Sequence, residues 1–366
     1  MLSIGIVGLP NVGKSTLFNA LTKKCVPAEN YPFCTIEPSV GIVPVPDERL
    51  YKLSEISQSK ETIPAVVQFV DIAGLVEGAA SGEGLGNKFL SHIREVDAIA
   101  EVVRIFPIDE ESGVTHVHGK IDPLHDINVI NLELVLADLE TLTKRIANLE
   151  KDIKRGDKDA KEEAVVLKKL ESIFESGKLA REAELSTDEE NKVKHLNLLT
   201  FKPIIYVLNK KEGVLNLDET DEEAFKKLVS FVESSGSQYA IVDVKTEEEM
   251  KDMNEDEKRE LKAGFGDYLG VDTLIRESYR LLNLITFFTT GDKETRAWTI
   301  KVGSTAPEAG SAIHSDFHDK FIRADVIGWK YLVDIGSYAE ARTKGVVRTE
   351  GKDYIVEDGD VIEFRI

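Results

Sequence analysis

Residues 8–15 read Gly-Leu-Pro-Asn-Val-Gly-Lys-Ser and directly follow the apolar run Ile4–Val7. The stretch fits G-x-x-x-x-G-K-[ST], the pattern of a phosphate-binding P-loop, and the run before it is typical of a buried strand. Residues 16–21 favour a helix, whose positive N-terminus faces the same anion. The stretch therefore predicts a strand, a phosphate-binding loop and a helix that together bind a nucleoside triphosphate.

The residue types within this loop have separate expected roles. Lys14 is expected to reach the β- and γ-phosphates, and the Ser15 hydroxyl is expected to bind Mg²⁺. Backbone N–H groups along the loop supply the remaining phosphate contacts. The predicted phosphate-binding residues are Asn11, Val12, Gly13, Lys14, Ser15 and Thr16.

Two further stretches are predicted to complete a magnesium and γ-phosphate site. Asp71-Ile72-Ala73-Gly74 follows the apolar run Val66–Val70, which puts a carboxylate at the end of a strand. Asp71 can then hold the metal shell, and the Gly74 N–H can donate to the γ-phosphate. Thr35 lies in a loop after the first helix, where a switch threonine would complete the coordination of Mg²⁺.

The identity of the base is predicted from Asn209-Lys210-Lys211-Glu212, directly after the run Ile204–Leu208. GTPases have Asn-Lys-x-Asp at this position, and the Asp carboxylate accepts hydrogen bonds from guanine N1 and its 2-amino group. Glu212 is one methylene longer, so its carboxylate cannot occupy the same place unless the backbone moves. Because a badly paired polar site discriminates strongly against the wrong base, we expect weaker guanine preference and access for adenine.

Composition sets limits on the class of protein. The chain has 366 residues, enough for two or three domains, and its 42% hydrophobic and 31% charged residues are typical of a soluble globular protein. Two cysteines are too few for a disulfide framework. No apolar run is long enough to span a bilayer and no signal peptide is recognisable, so we expect a cytoplasmic protein without a membrane partner.

The net charge of −20 is unevenly distributed. Residues 128–202 have 14 lysines and arginines against 16 acidic residues, and residues 283–366 have 11 against 14. Most of the acidic excess therefore lies in the nucleotide-binding part. A phosphate-rich partner would be repelled least by the two nearly neutral segments, although ordinary surface variation would give the same distribution.

Strand-like runs at 4–7, 65–70, 98–105 and 204–208 alternate with helical stretches and predict a mainly parallel sheet with helices on both faces. Between the third and fourth runs, apolar residues recur every three or four positions, a heptad seam that predicts a coiled-coil hairpin. A helical layer packed flat on the domain is the alternative. The seam consists of Leu132, Val135, Leu139, Leu142, Ile146, Leu149 and Ile153.

Residues 216–282 are predicted to be helical and acidic, whereas short β-branched or aromatic runs and turn signals begin near Asn283. This change predicts a small, separate α+β domain at the C-terminal end.

Long strings of this sequence resemble the YchF/Obg-like ATPase family, a branch of the Obg-related P-loop translation factors. The resemblance covers residues 8–16, 30–38, 71–79 and 82–87, and in the C-terminal part residues 313–316 and 354–360. It implies an OBG-type G domain at 1–127 and 203–282, a coiled-coil helical insertion at 128–202, and a TGS domain, a ubiquitin-like β-grasp module, at 283–366. It also implies Mg²⁺-dependent hydrolysis of ATP in preference to GTP.

The same resemblance implies a ribosome as the partner, bound through the helical arm and the TGS domain, with no DNA expected. This sequence departs from the family at Lys210, because the family commonly loses that lysine together with the aspartate. A lysine stem can stack on either purine, so dual use of ATP and GTP stays open. A surface lysine without a role in base binding is the simpler alternative.

The position that carries the water-orienting glutamine in Ras-like GTPases is Leu75 here. A leucine cannot hydrogen-bond water, so intrinsic hydrolysis is expected to be slow unless another polar group enters. The candidates are His92, His116 and His118, and the resemblance favours His116. The predicted function is a slow ATPase switch on ribosomes; the alternatives are a GTPase of ribosome assembly and a nucleotide-gated scaffold with incidental hydrolysis.

Overall fold

The computed structural model describes residues 2–22, 39–72, 87–107, 121–250, 253, 257 and 270–366, with the backbone alone for residues 87 and 88. The chain forms two compact units. Among the described residues, the first unit consists of 2–22, 39–41 and those that lie between 68 and 274. The second unit consists of 42–67 and 275–366.

The first unit is built on a six-stranded sheet with the order β2-β4-β1-β5-β6-β7. Its strands are β1 (Ser3–Val7), β2 (Val40–Pro44), β4 (Val66–Asp71), β5 (Ala98–Arg104), β6 (Ile204–Asn209) and β7 (Gln238–Val242); β2 and β4 contain residues of both units. β1 pairs in parallel with β4 and β5, and β5–β6 and β6–β7 are also parallel. This confirms the predicted α/β fold and brings the carboxyl ends of β1, β4 and β6 to one edge.

The helices of this unit follow the strands in alternation. They are α1 (Lys14–Thr22), α3 (Asn87–Glu95), α4 (Pro123–Lys154), α5 (Lys158–Glu175), α6 (Thr187–Val193), α7 (Leu217–Thr220), α8 (Glu222–Ser234) and α9 (Val244–Glu249). Side chains of β1, β5 and β6 form a buried core with α3, α8 and the first part of α4. The four predicted strands are present, but the sequence patterns missed β2 and β7.

The two long helices α4 and α5 share a second apolar core, to which Leu142, Leu149 and Leu170 contribute fully buried side chains. Asp122 and Asp157 cap their N-termini by accepting backbone N–H bonds. The predicted seam is wrong at its first position, because the Leu132 side chain is 52% exposed. The neighbouring Leu134 is buried in the core of the sheet instead. A coiled coil for this pair of helices stays a prediction.

The second unit contains another six-stranded sheet, of mixed direction, with the order β11-β10-β12-β8-β9-β3. Its elements are α2 (Glu48–Ser57), β3 (Glu61–Ile63), β8 (Leu284–Thr290), β9 (Glu294–Lys301), α11 (Ala306–Ser311), α12 (Ser315–Asp319), β10 (Arg323–Gly328), α13 (Trp329–Ile335), α14 (Tyr338–Thr343), β11 (Arg348–Glu350) and β12 (Asp360–Arg365). Helix α10 (Val271–Leu281) has residues in both units. The core of this unit contains aliphatic and aromatic side chains, and the rings of Phe287 and Phe364 meet edge to face in it.

The predicted domain limits stay a prediction, and the structure adds one relationship to them. Strand β3 pairs in parallel with β9, so residues 42–67 group with the C-terminal part of the chain. Within the described ranges, no helix combines the length and the hydrophobicity that crossing a membrane requires.

Candidate nucleotide-binding site

The P-loop connects β1 to α1 in the conformation that its sequence predicts. Gly8, Asn11 and Gly13 all have positive φ, at 150°, 63° and 104°, and α1 begins immediately afterwards at Lys14. A Cβ on Gly8 would lie 2.6 Å from the Val102 carbonyl oxygen, so no other residue fits there without a shift of the backbone. The buried Val12 anchors the loop while the Ser15 side chain stays exposed at the helix N-terminus.

Lys14 has the environment expected of a phosphate-binding lysine. Its ammonium donates to the Leu9 carbonyl at 2.7 Å, which folds the side chain back over the loop. Burial lowers the pKa of Lys14, and the nearby negative charge of Asp71 opposes part of that shift. A bound polyphosphate would favour the charged form much more strongly.

The structure places Asp71 at the end of a strand, as the sequence predicts. It is the last residue of β4, is paired in register with Ile6 of β1, and has a side chain that is only 6% exposed. Among the described residues, no three His, Cys, Asp or Glu side chains gather in a way that could hold a metal ion. A P-loop site does not require such a group, because Mg²⁺ binds one or two protein oxygens together with phosphate oxygens and water. Ser15 and Asp71 fit this kind of donor set.

Asn209 ties the phosphate-binding loop to the base motif. Its side-chain amide donates to the Val12 carbonyl at 2.8 Å, and its side-chain oxygen accepts from the Val244 N–H at 3.3 Å. Asn209 is 2% exposed, so both hydrogen bonds form away from water. The predicted base-motif asparagine therefore holds three loops together.

The other two residues predicted in the base motif have different surroundings. The Lys210 ammonium pairs with the Asp218 carboxylate at 2.7 Å and lies 3.7 Å from Glu219. Lys210 is thus an ion-paired residue whose ammonium is directed to α7, and its role in base binding stays a prediction. The Glu212 side chain is exposed, and its backbone N–H donates to the Asp243 carboxylate at 2.7 Å.

Asp243 is a residue of this site that the sequence patterns missed. It follows β7, and its carboxylate lies beside Glu212 in the wall of a cavity of about 290 Å³. The available signal was the short run Ala240–Val242 followed by an acidic N-cap, within a stretch interpreted as helical. The residues that line this cavity are Lys211, Glu212, Asp243, Lys245, Thr246, Glu249 and Met253.

The structure brings together the described members of the predicted site: the P-loop, Asp71 and the base motif with Asn209. The other predicted members are Thr35, Gly74 and His116, and all of them lie outside the described residues, as does Leu75. Their roles stay predictions.

Family models match both ends of the chain. A model described as a 50S ribosome-binding GTPase matches residues 3–137. A model named YchF-GTPase_C, whose description is a protein of unknown function, matches residues 284–366.

Similar proteins match the chain along its whole length. The ribosome-binding ATPase YchF of Bacillus subtilis is 50% identical over 365 residues, which cover 100% of this chain and 99% of that protein. The protein of the same name from Haemophilus influenzae is 49% identical, with 99% and 98% covered. A solved structure of the Schizosaccharomyces pombe YchF GTPase superimposes with a TM-score of 0.87 at 36% identity, and covers 100% of this chain and 97% of that one.

Proposed function

This chain belongs to the YchF family, and we propose that it is a ribosome-associated P-loop ATPase that hydrolyses ATP to ADP and phosphate. The observation that carries the choice of ATP is Glu212 in the base motif. The backbone N–H of Glu212 donates to the Asp243 carboxylate at 2.7 Å, which holds the backbone in place. The backbone therefore cannot shift to compensate for the extra methylene of the Glu212 side chain. The carboxylate is then badly placed for the two donors of guanine.

The proposed roles in phosphate binding follow from the positions of the side chains. Backbone N–H groups of the P-loop and the Lys14 ammonium bind the β- and γ-phosphates. Ser15 and Asp71, joined by Thr35, would hold Mg²⁺, which supplies positive charge to the β- and γ-phosphate oxygens when it is bound. The Gly74 N–H donates to the γ-phosphate.

In the proposed reaction, water attacks the γ-phosphorus and the bond to the oxygen that bridges the β- and γ-phosphates breaks. The leaving oxygen stays on ADP, while one proton of the attacking water passes to solvent and the other stays on the inorganic phosphate. Leu75 cannot orient that water, so we assign the role to His116 and expect slow turnover without a partner. Lys14 contributes by binding the charge that develops on the phosphate oxygens.

The described residues support a route by which nucleotide state could reach the helical arm. The C-terminal end of α3, which follows the glycine-rich segment after Asp71, is held by the arm. The Lys202 ammonium donates to the carbonyls of Val96 at 2.5 Å and Arg94 at 3.1 Å. Asn197 donates to the same Arg94 carbonyl at 3.0 Å. A change in the segment before α3 would therefore act directly on the base of the arm.

A GTPase is the second candidate, because Lys210 is present and one family model is described as a 50S ribosome-binding GTPase. Glu212 is the residue that argues against it. The two candidates make the same phosphate contacts and differ only at the base.

Co-sedimentation of the purified full chain with ribosomes tests the proposed switch under ATP, ADP and no nucleotide. We expect the bound fraction to differ between ATP and ADP, and ATP turnover to rise when ribosomes are added. An equal ribosome-bound fraction with ATP, with ADP and without nucleotide would contradict the switch and favour a scaffold with incidental hydrolysis. Absence of binding in all three conditions would contradict the ribosome as partner.

A further inference from the structure

Three successive backbone amides fix the loop after β6. The Lys210 N–H donates to the Val242 carbonyl at 3.0 Å, and the Lys211 N–H donates to the Asn216 side-chain oxygen at 3.0 Å. The Glu212 N–H donates to the Asp243 carboxylate at 2.7 Å. Of these three acceptors, only Asp243 is also in the wall of the 290 Å³ cavity beside Glu212.

The Asp243 carboxylate holds two elements at once. One oxygen accepts the Glu212 N–H, while the other accepts the Lys245 and Thr246 N–H groups, both at 3.0 Å. The second set of bonds is the N-cap of α9. Asp243 is 6% exposed, so these bonds are shielded from water and the carboxylate has little freedom to reorient.

A glutamate needs such an anchor more than an aspartate does. Its extra side-chain torsion gives the carboxylate more positions for any one position of the backbone. Selection between bases depends on holding a polar group to within about half an ångström, which requires support from the residues behind it. The position of the Glu212 backbone therefore decides which edge of a purine its carboxylate can meet.

We propose that Asp243 is a positioning residue for purine selectivity, which acts by fixing the Glu212 backbone through its second carboxylate oxygen. This inference rests on the proposed preference for ATP. Asp243 itself does not touch the base. It keeps Glu212 from relaxing toward the position in which a carboxylate accepts from guanine.

The test is a competition of ATP and GTP for the purified full chain and for Asp243→Ser. Serine is a good N-cap, so it keeps the start of α9, but it lacks the second carboxylate oxygen that accepts the Glu212 N–H in the wild type. Once the Glu212 backbone is released, its carboxylate can move toward the guanine donors and GTP binds more tightly. We expect the ratio of GTP to ATP dissociation constants to fall by about fivefold, which corresponds to the free energy of one hydrogen bond. Thermal unfolding recorded beside each titration separates this effect from loss of the fold.

Asp221→Ser is the matched control. Asp221 caps α8 by accepting the Ala224 N–H at 3.0 Å and is not among the residues that line the cavity. The same substitution there replaces an N-cap of the same kind but leaves the Glu212 N–H bonded to Asp243, so the ratio of dissociation constants should stay at the wild-type value.

Asp243→Ser in a Glu212→Ala background distinguishes positioning from a direct contact. Without the Glu212 carboxylate, the hydrogen bond to Asp243 has no side chain to position. The ratio of GTP to ATP dissociation constants should then be the same with and without Asp243→Ser. A response that persists in this background would overturn the positioning role. An unchanged ratio in the single variant of a wild type that prefers ATP would also overturn it. Equal binding of ATP and GTP by the wild type would instead contradict the proposed function.

Discussion

The side-chain amide of Asn209 donates to the backbone carbonyl of Val12 at 2.8 Å. This bond joins the residue that begins the base motif to the middle of the phosphate-binding loop. The bond connects the two halves of the proposed nucleotide site through protein atoms alone, and the same asparagine also accepts from the Val244 N–H. Preorganisation of this kind lowers the entropy that binding would otherwise cost.

Gly13→Ala should break this connection. Gly13 has a φ of 104°, and a Cβ there would lie 2.5 Å from the Asn209 side-chain nitrogen. We expect nucleotide affinity to fall by about tenfold or more, since the loop must shift and Asn209 must move away. Gly177→Ala is the control, because Gly177 also has positive φ, 76°, but has open space around it. Calorimetric titration with ATP should show full affinity for that variant, and equal losses in both would refute the steric argument.

Nucleotide binding should become weaker at alkaline pH because of Lys14. Burial lowers the pKa of Lys14 in the free protein, and bound phosphates raise it. Binding therefore takes up protons when the pH is above the free-state pKa, so affinity falls as pH rises there and is level below it. Calorimetry in buffers of different ionisation enthalpy measures this uptake. Lys14→Arg should remove it, since arginine does not titrate in this range; uptake that survives in Lys14→Arg would assign it to another group.

Lys202→Met should uncouple the arm from nucleotide state. Lys202 is 9% exposed and its ammonium holds two carbonyls at the end of α3, at residues 94 and 96. Methionine keeps the apolar stem but donates no hydrogen bond. ATP turnover without ribosomes should stay near the wild-type rate, whereas the difference in ribosome co-sedimentation between ATP and ADP should shrink. Lys144→Met, which removes an exposed lysine of α4, should leave that difference intact. A full nucleotide response in Lys202→Met would exclude this route.

His116→Ala tests the assigned water-orienting group. We expect ATP turnover to fall severalfold or more while the dissociation constant for ATP holds, because the histidine acts on the attacking water and not on the bound nucleotide. His118→Ala in the same stretch is the control and should turn over ATP at the wild-type rate. Unchanged turnover in His116→Ala removes this histidine from the mechanism.

Local patterns were sufficient to predict that the P-loop, Asp71 and Asn209 lie at the ends of strands, because each is defined by a short motif at the end of an apolar run. They were not sufficient for β3, whose partner β9 lies more than 200 residues away in the chain. A short stretch of sequence carries no information about a partner strand that far along the chain. The same reason applies to Asp243, whose importance arises from contact with Glu212 across two loops.

The heptad pattern failed at Leu132 for a related reason. The apolar positions of α4 serve two cores in succession, since Leu134 packs on the sheet while Leu142 and Leu149 pack on α5. A helix that changes partners along its length changes its buried face. A heptad repeat assumes that the same face of the helix is buried along its whole length. It therefore predicts that Leu132 is buried, whereas Leu132 is exposed.

Competition of ATP and GTP for the purified wild-type chain and for Glu212→Asp tests whether Glu212 sets the choice of base. We expect the wild type to bind ATP more tightly than GTP, and the shorter side chain of Glu212→Asp to shift the ratio of affinities toward GTP by about tenfold or more. Wild-type protein that binds GTP as tightly as ATP, or more tightly, would contradict this expectation.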